Sequence, residues 1–320
     1  MALREIFNTL LTASLAALAQ GCETDATELM PDSGSRVAVM TCLAETGREI
    51  TVHLTASVPY SDTAVYSTVG AADVTLAVNG NIRQSLHLDE GQTSVTFTAL
   101  AVKAGDELTV EANAPQLNAK LSGHTRMESP AAIEGMDTLT LRDGATLRIT
   151  TFLTDDKATT DYYQIEVRSR AYRGGAAKDS VLKCDYLSSA FNDAGSAFGT
   201  QSSLIGLFED TRLIRLANGR SPVTLTTAWD GLTAALRGTP DSATVAVRLY
   251  HHTEDYYTFL QTAAQAQRYV FLPVFSAGRV FSNVSGGYGI VSGVAYDEAE
   301  IRVSKKWTPS GIVSSSRDGQ

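Results

Sequence analysis

The 320-residue sequence has few of the residues that build catalytic and metal sites, with only three cysteines, five histidines and two tryptophans. Neither H-x-x-x-H nor H-E-x-x-H occurs, and the adjacent His251 and His252 would point to opposite faces of a strand. The G-x-S-x-G nucleophile elbow and the spacing of an EF-hand calcium loop are also missing. The sequence therefore predicts no catalytic residue, no metal site and no cofactor.

Basic runs and long apolar runs are missing as well. The net charge is −9, the isoelectric point is about 5.1, and lysines and arginines are scattered along the chain. An acidic surface repels phosphates, so the sequence argues against a nucleic-acid partner. No stretch beyond the N-terminus reaches the roughly 18 apolar residues of a membrane-spanning helix, so we expect none in the mature chain.

The N-terminus is typical of an exported bacterial lipoprotein. Leu10 to Ala19 form a short apolar core with the length of a signal-peptide h-region. The next residues, LAQGC at 18–22, resemble a lipobox, in which a small residue such as Gly21 allows cleavage before a cysteine. The sulfur of Cys22 would then carry a diacylglyceryl group, and further acylation of its freed amine would make the anchor firm.

These features predict a lipoprotein signal peptide over residues 1–21, lipid attachment at Cys22, and a flexible acidic tether over residues 22–35. The alternative is an ordinary secretory signal that is cut near Ala19. The two interpretations differ in whether the mature protein is anchored to a membrane.

The remaining candidates for chemistry are two later cysteines, three acidic pairs and the aromatic residues. We expect Cys42 and Cys184 to be unpaired, although an oxidising compartment would permit a disulfide. The acidic pairs have turn-like contexts, and paired tyrosines usually divide between core and surface. The residues concerned are Asp155-Asp156, Glu209-Asp210, Asp297-Glu298, Tyr162-Tyr163, Tyr256-Tyr257, Trp229 and Trp307.

The body of the chain alternates polar and apolar residues with the period of half-buried strands. Asn79-Gly80 and Asp143-Gly144 each join two such runs, which predicts hairpins. Frequent short strands favour a mostly β fold, with an N-terminal Ig-like β-sandwich followed by a second β-sandwich-like domain that contains one helix. The predicted bounds are 36–127 and 128–306 for the two domains, 254–267 for the helix, and 307–320 for a disordered tail.

The glycine-rich stretch FSNVSGGYGIVSG, residues 281–293, does not fit a nucleotide-binding loop. Gly287 and Gly289 begin a G-x-G-x-x-G pattern, but Ser292 occupies the third position. The residues that follow predict a turn and a strand, whereas a dinucleotide loop opens a helix. We therefore expect these glycines to permit tight turns at a corner of a sandwich.

The order of motifs in the C-terminal half resembles the family called domain of unknown function 4249. The motifs are DYYQIEV at 161–167, RLYHHTEDYYTFLQT at 248–262 and LPVFSAGRVFSNVSGGYGIVSG at 272–293. The family's closing run is Ser-Asn-Ile, a polar residue, Gly-Gly, a variable residue and Gly, and residues 282–289 are similar to it. The resemblance implies an outer-membrane lipoprotein of a Gram-negative phylum, and it carries no catalytic residue onto this chain.

The leading functional hypothesis is a non-enzymatic binding or accessory component of a TonB-dependent uptake system for glycans or peptides. Its expected partners are the outer membrane, through the lipid on Cys22, and a TonB-dependent transporter with its substrate. One alternative is a surface hydrolase with a dispersed active site. Another is a structural envelope or adhesin-like module.

Overall fold

The structure is a computed structural model that describes residues 36–58, 66–98, 100, 102–141, 146–154, 158–173, 176–191, 206–228, 242–269 and 279–304. Over these residues the chain is mostly β, as predicted, and it contains one α-helix, α1 (Glu254–Tyr269). The strands are β1 (Ala38–Glu45), β2 (Ile50–Ala56), β3 (Ala72–Val78), β4 (Asn81–Leu88), β5 (Ser94–Phe97), β6 (Glu107–Ala114), β7 (Ala119–Arg126), β8 (Ala132–Thr140), β9 (Thr146–Thr154), β10 (Tyr162–Arg173), β11 (Ala176–Val181), β12 (Cys184–Tyr186), β13 (Leu207–Glu209), β14 (Ser221–Ala228), β15 (Ser242–His252) and β16 (Tyr288–Ser304).

The strands form three sheets. Sheet A has the order β11-β10-β15-β16-β1-β2-β5, and β13 also pairs with β10. Sheet B has the order β4-β3-β6-β7, and sheet C has the order β12-β14-β9-β8. Sheet A therefore contains strands from both ends of the described chain, whereas sheets B and C are built from neighbouring segments.

Two hydrophobic cores lie on the same face of sheet A, one beneath sheet B and the other beneath sheet C. The first core joins strands β1 to β7 and includes Val291 of β16. The second core joins strands of sheet C to β10 and β15, and it includes Ile301 of the same strand β16. Because Val291 and Ile301 are an even number of residues apart on one strand, they face the same side. Each half of the protein is thus a sandwich, and the two sandwiches share sheet A.

Strand β16 joins the two sandwiches. It pairs in parallel with β1, from Val39 opposite Tyr288 to Glu45 opposite Val294, and antiparallel with β15 along the rest of its length. The predicted domain boundary near residue 127 stays a prediction. The boundary does not separate two sheets. The strand that completes the N-terminal sandwich is β16, which pairs with β1 and comes from the C-terminal part of the chain.

Several local expectations can be compared with the strands. The hairpin at Asn79-Gly80 is confirmed, since β3 and β4 pair on either side of it and both turn residues have positive φ, 51° and 73°. Strands β8 and β9 also pair as predicted, although the turn at Asp143-Gly144 lies outside the described residues. The expectation of a turn after the glycine-rich stretch was wrong, because β16 already begins at Tyr288 and continues without interruption. Strand β1 was not predicted.

Helix α1 begins where the sequence indicates. The backbone N–H of Tyr256 donates to Oγ1 of Thr253 at 3.3 Å, and Glu254 and Asp255 occupy the positive end of the helix dipole. The Thr253 hydroxyl also lies 2.8 Å from the hydroxyl of Ser292, which faces away from the two cores. The helix thus packs on the face of sheet A opposite sheets B and C. Within the described part of the chain, no helix has the length and apolar character needed to cross a bilayer.

Candidate functional site

The predicted lipid-attachment residue cannot be placed in the fold. Cys22, the signal peptide over residues 1–21, the tether over residues 22–35 and the tail over residues 307–320 all lie outside the described residues. Lipid attachment at Cys22 therefore stays a prediction from the sequence.

The other two cysteines are free thiols, as expected. Cys42 is fully buried in the first core, and burial raises its pKa to about 12. Burial is also the main cause that raises the pKa of Cys184 to about 12. A nucleophilic or metal-binding cysteine needs the thiolate form, so at neutral pH both residues behave as small apolar side chains.

The glycine-rich stretch is a junction between the N-terminal sandwich and β16. Gly286 has a φ of +76°, and a Cβ there would overlap the backbone carbonyl of Lys120 in β7. Gly289 has a φ of +131°, and a Cβ there would overlap the carbonyl of Met40 in β1. Only glycine combines this backbone conformation with so close an approach. The expectation of a structural rather than a nucleotide-binding stretch agrees with this packing.

The side chain of Asn283, in the same stretch, pairs with β16 in the way that the backbone of a neighbouring strand would. Its Oδ1 accepts the N–H of Val291 at 2.9 Å, and its Nδ2 donates to the carbonyl of Val291 at 2.9 Å. Nδ2 also donates to Oδ2 of Asp255 in the first turn of α1, at 2.8 Å. One amide therefore ties the helix to the edge of β16, which gives the asparagine of the closing motif a structural role.

The two adjacent histidines point to opposite faces, as expected, and have different environments. His252 is 2% exposed, and its Nε2 lies 3.1 Å from Oε1 of Gln164. Burial, together with the nearby charge of His251, lowers the pKa of His252 to about 3. His252 is therefore a buried, neutral residue at physiological pH.

His251 lies where the chain crosses from sheet B to sheet C. Its Nδ1 is 2.7 Å from the carbonyl oxygen of Ser129, and its Nε2 is 3.5 Å from Asp161 and 3.9 Å from Glu128. Burial raises the pKa of Glu128, with the charge of Asp161 adding to the effect. Among the residues that the structure describes, no group of three or more histidine, cysteine or carboxylate side chains has a metal-binding arrangement.

The acidic pairs serve mainly as structural acceptors where they can be placed. Oδ2 of Asp297 accepts the backbone N–H of Ile133 at 2.9 Å, which connects β16 to sheet C. Oδ1 of the buried Asp210 accepts the N–H of Asp161 at 3.0 Å. Asp155-Asp156 lies outside the described residues. These bonds give Asp297 and Asp210 a structural role in the fold.

The tyrosine pairs divide between core and surface. Tyr163 and Tyr257 are 2% and 4% exposed, whereas their neighbours Tyr162 and Tyr256 are only partly buried. Tyr257 donates to Oε1 of Glu209 at 3.2 Å, so its hydroxyl has a partner inside the protein. Trp229 and Trp307 lie outside the described residues.

A set of charged and aromatic side chains, of which the sequence singled out only Glu298, covers the outer face of sheet A, opposite the two cores. We call it the arginine–tyrosine face. It arises because β10, β15 and β16 place every second residue outward. Its members are Glu45, Arg48, Glu166, Arg168, Arg170, Asp179, Arg248, Tyr250, Tyr296 and Glu298.

Tyr296 is the centre of one half of this face. Arg48 donates to its hydroxyl at 2.8 Å, and the Arg248 guanidinium lies 4.2 Å from the centre of its ring. Arg248 also donates to Oε2 of Glu298 at 2.7 Å and to the hydroxyl of Tyr250 at 3.4 Å. Burial opposes the charge of Arg248, but the hydrogen bonds with Tyr250 and Glu298 outweigh it and raise the pKa. Both guanidinium groups are thus held in defined orientations.

The other half of the face consists of two arginine–carboxylate pairs. Arg168 donates to Oε1 of Glu166 at 2.5 Å, and Arg170 forms two parallel bonds with Asp179, at 2.6 and 2.9 Å. The bonds between Arg170 and Asp179 raise the pKa of the guanidinium and lower that of the carboxyl group. Bidentate pairing of this kind restricts the planar guanidinium to one geometry.

Two cavities lie at the arginine–tyrosine face. One, of about 510 Å³, is lined by Glu45, Arg48, Tyr296 and Glu298 of this face, and also by Ala295 and Asp297, which are on the opposite side of β16. The other, of about 330 Å³, is lined by the side chains around Arg168, Arg170 and Arg248, and it also includes Glu298. The two volumes lie in or near the range of small-ligand sites. Because Glu298 lines both cavities, they are neighbouring parts of one surface.

The sequence contained a weak signal for this face. In β10 the outward residues Glu166, Arg168 and Arg170 alternate with apolar or small residues, a period-two pattern of charge. That pattern marks one solvated strand face, but it does not reveal which residues of other strands lie beside it. Arg48 and Tyr296 are separated by 248 positions in the sequence, so only the fold brings them together.

Comparison with solved structures finds distant similarity to chains that are 10–11% identical. A two-domain fibronectin type-III segment of chicken tenascin is 10% identical, covers 68% of this chain and 90% of its own, and has a TM-score of 0.20. The Parabacteroides merdae β-glucuronidase is 11% identical with a TM-score of 0.21, and the match covers 66% of this chain but 22% of the enzyme. Three N-terminal domains of the bacteriophage RB49 outer capsid protein Hoc are 10% identical, with coverages of 69% and 65% and a TM-score of 0.23. Nothing about function follows at these TM-scores.

A comparison with curated proteins gives no match. In the comparison with protein families, the one described as Domain of unknown function (DUF4249) matches residues 26–300. The match includes both sandwiches, helix α1 and the glycine-rich junction. The chain therefore belongs to this family of unknown function.

Proposed function

We propose that the protein is an outer-membrane lipoprotein, anchored through Cys22, that acts as a non-enzymatic binding component of a TonB-dependent uptake system for glycans or peptides. The ligand binds on the arginine–tyrosine face. The observation that carries this proposal is the cluster of oriented arginine and tyrosine side chains beside two cavities of 510 and 330 Å³.

The orientation of these side chains favours binding. A free arginine loses rotamer freedom when it captures a ligand, and this loss weakens affinity. Here the partners Glu45, Tyr296 and Glu298 already order Arg48 and Arg248. Part of the entropic cost of binding is therefore met when the protein folds.

The predicted N-terminus supports a location at the membrane surface. An extended residue spans at most about 3.6 Å, so a tether over residues 22–35 reaches roughly 50 Å. The described body starts at residue 36, directly before β1. The sandwiches would have room to reorient above the bilayer and to contact a neighbouring transporter.

The anchor is tested by intact-mass analysis of protein recovered from cell membranes, together with the Cys22→Ser variant. We expect the mass of a lipidated N-terminus beginning at Cys22, and release of the variant from the membrane fraction. An unmodified N-terminus cut near Ala19 would overturn the anchor and favour an ordinary secreted protein.

The role in uptake is tested by affinity purification of the lipoprotein from detergent-solubilised membranes. We expect a TonB-dependent transporter among the co-purifying proteins, and slower growth of a deletion strain on that transporter's substrate. A deletion strain that takes up every tested polymer normally, with no transporter recovered, would overturn the proposal. Substrate turnover by the purified protein would instead support a surface hydrolase.

A further inference from the structure

The four arginines of the arginine–tyrosine face are each paired with a carboxylate of this chain. Arg48 lies 2.6 Å from Glu45, and Arg248 lies 2.6 Å from Glu298. Arg168 and Arg170 are paired with Glu166 and Asp179 in the same way. The face is therefore rich in ionised groups but carries no excess of positive charge.

This pairing disfavours an anionic ligand. A carboxylate on the ligand would have to displace Glu298 or another internal partner, or lie close to it and be repelled. The whole protein adds to that repulsion, since its net charge is −9. A cationic ligand is attracted by the net charge, but on this face it would have to displace an arginine from its carboxylate or lie close to the arginine and be repelled.

The pairing leaves many hydrogen-bonding positions unused. A guanidinium has five N–H donors and a carboxylate accepts about four hydrogen bonds, whereas each pair on this face uses one or two of them, and Arg48 and Arg248 each use one further donor on a tyrosine hydroxyl. Tyr250 and Tyr296 add hydroxyl groups that both donate and accept. Donors and acceptors thus alternate at short range, which suits ligand hydroxyl groups because each hydroxyl can donate and accept at once.

The face is also elongated. Tyr296 and Tyr250 are opposite each other at one end, and Arg170 lies three outward positions further along β10 than Gln164, the partner of Tyr250. At about 3.4 Å per residue, this separation is roughly 20 Å along the strands. A ligand that contacts both cavities is therefore a chain of several units rather than one small molecule.

A peptide ligand fits this arrangement less well. Extended peptides typically add to a sheet edge, where main-chain groups give most of the affinity. On the arginine–tyrosine face, the side chains of β10, β15 and β16 project from the middle of sheet A, and these strands are hydrogen-bonded to each other.

We infer that the ligand of the arginine–tyrosine face is a neutral, polyhydroxylated chain, that is, an oligosaccharide without carboxylate or amine groups, held across both cavities. This inference rests on the proposed function, because it names the ligand class of the same site. It adds that the ion pairs between arginines and carboxylates select against charged glycans.

The test uses the full-length protein purified in detergent and isothermal titration with three sets of probes. These are neutral oligomers of glucose, mannose, xylose and galactose, oligomers of galacturonic acid, and short neutral peptides. The main variant combines Arg248→Gln with Glu298→Gln, which removes one ion pair without leaving an unpaired charge. Arg48→Gln, at an exposed turn, is a second variant that leaves the strands unchanged. Arg83→Gln, on exposed strand β4 of sheet B, is the matched control.

We expect a neutral oligosaccharide to bind with an affinity that hardly changes between low and high salt. Each variant of the face should weaken binding by about tenfold, the factor expected for loss of one hydrogen bond to a charged group, while Arg83→Gln should have no effect. Unchanged unfolding midpoints in urea would show that a loss of binding comes from the site.

The failures of the two proposals are distinguishable. Binding of only the galacturonic acid oligomers or only the peptides would overturn the neutral oligosaccharide as the ligand but retain a binding role. Binding of neutral oligosaccharides that both face variants leave unchanged would overturn the location. Recovery of a transporter from cells without binding of any probe would overturn the ligand class and leave the role in uptake.

Discussion

At the residue scale, single polar side chains hold the junction of the two sandwiches together. Asn283 makes three hydrogen bonds with two different elements, and two of them satisfy the N–H and carbonyl groups of a fully buried residue, Val291. A buried main-chain group without a partner costs about 1–3 kcal/mol. The contribution of Asn283 therefore comes mainly from what its removal would leave unsatisfied.

We predict that Asn283→Ala lowers the free energy of unfolding by about 2–4 kcal/mol, because it leaves the N–H and carbonyl of Val291 without hydrogen-bond partners. Urea denaturation followed by circular dichroism measures the change. The matched control is Asn81→Ala, which removes one exposed bond, to the carbonyl of Asn79, and should cost less than about 1 kcal/mol. Equal costs for the two variants would contradict the structural role of Asn283.

His252 makes the fold sensitive to acid. Its pKa is lowered to about 3 in the folded protein, below the ordinary value of 6.5. Between these values the unfolded chain binds the proton and the folded chain does not, so stability falls as the pH decreases through this window. The slope from this one residue reaches about 1.4 kcal/mol per pH unit.

We predict that His252→Gln flattens the loss of stability between about pH 6 and pH 4, since glutamine takes up no proton. The measurement is the free energy of unfolding in urea as a function of pH. His124→Gln, at an exposed position in β7, is the control, and its free energy of unfolding should depend on pH with the same slope as that of the wild type. An unaltered slope in His252→Gln would show that other groups cause the acid sensitivity.

At the element scale, β16 and the glycine-rich stretch that leads into it and overlaps its start determine how the sandwiches meet. The stretch approaches β7 and β1 so closely that none of its four glycines leaves room for a Cβ. A pair of bonds between Ser122 and Ser285 then attaches it to the edge of sheet B. The junction depends on backbone contacts, which side chains elsewhere cannot replace.

We predict that Gly286→Ala destabilises the protein by at least about 2 kcal/mol more than Gly80→Ala. Both glycines have nearly the same positive φ, +76° and +73°, so both variants incur a similar conformational cost of about 1–2 kcal/mol. Only at Gly286 would the added carbon overlap a backbone carbonyl, that of Lys120, whereas nothing lies within 4 Å at Gly80. Comparison of their urea midpoints tests this, and equal midpoints would contradict the tight approach.

At the scale of the whole molecule, the two sandwiches depend on one sheet. The N-terminal core includes Val284 and Val291, which come from the C-terminal part of the chain. Without them the edge of β1 would be unpaired and part of the core would be open to water. Unpaired strand edges promote association between chains.

We predict that the full chain unfolds in a single cooperative transition, and that residues 36–127 expressed alone are less stable and prone to aggregate. The reason is that this fragment lacks β16, the parallel partner of β1. Urea denaturation and light scattering of the two proteins measure the difference. A fragment that is monomeric and as stable as the full chain would show that the first sandwich folds independently.

The sequence by itself determined the local structure. Alternation of polar and apolar residues predicted the mostly β fold, Asn79-Gly80 predicted a hairpin, and Thr253 with the acidic residues after it predicted the start of α1. It also determined the family, because the closing motif at residues 282–289 is contiguous. In each case the interacting residues are close in sequence, so a short pattern contains the whole interaction.

Only the tertiary structure decided which strands pair over long distances and which side chains form the candidate site. The two-residue period of a strand shows that the side chains of Tyr296 and Arg248 point away from the core. Many strands have the same period, so it does not show which strands are neighbours. The pairing of β1 with β16, and with it the contact of Arg48 with Tyr296, depends on the packing of two complete cores. That information is spread over the whole chain, and no local segment contains it.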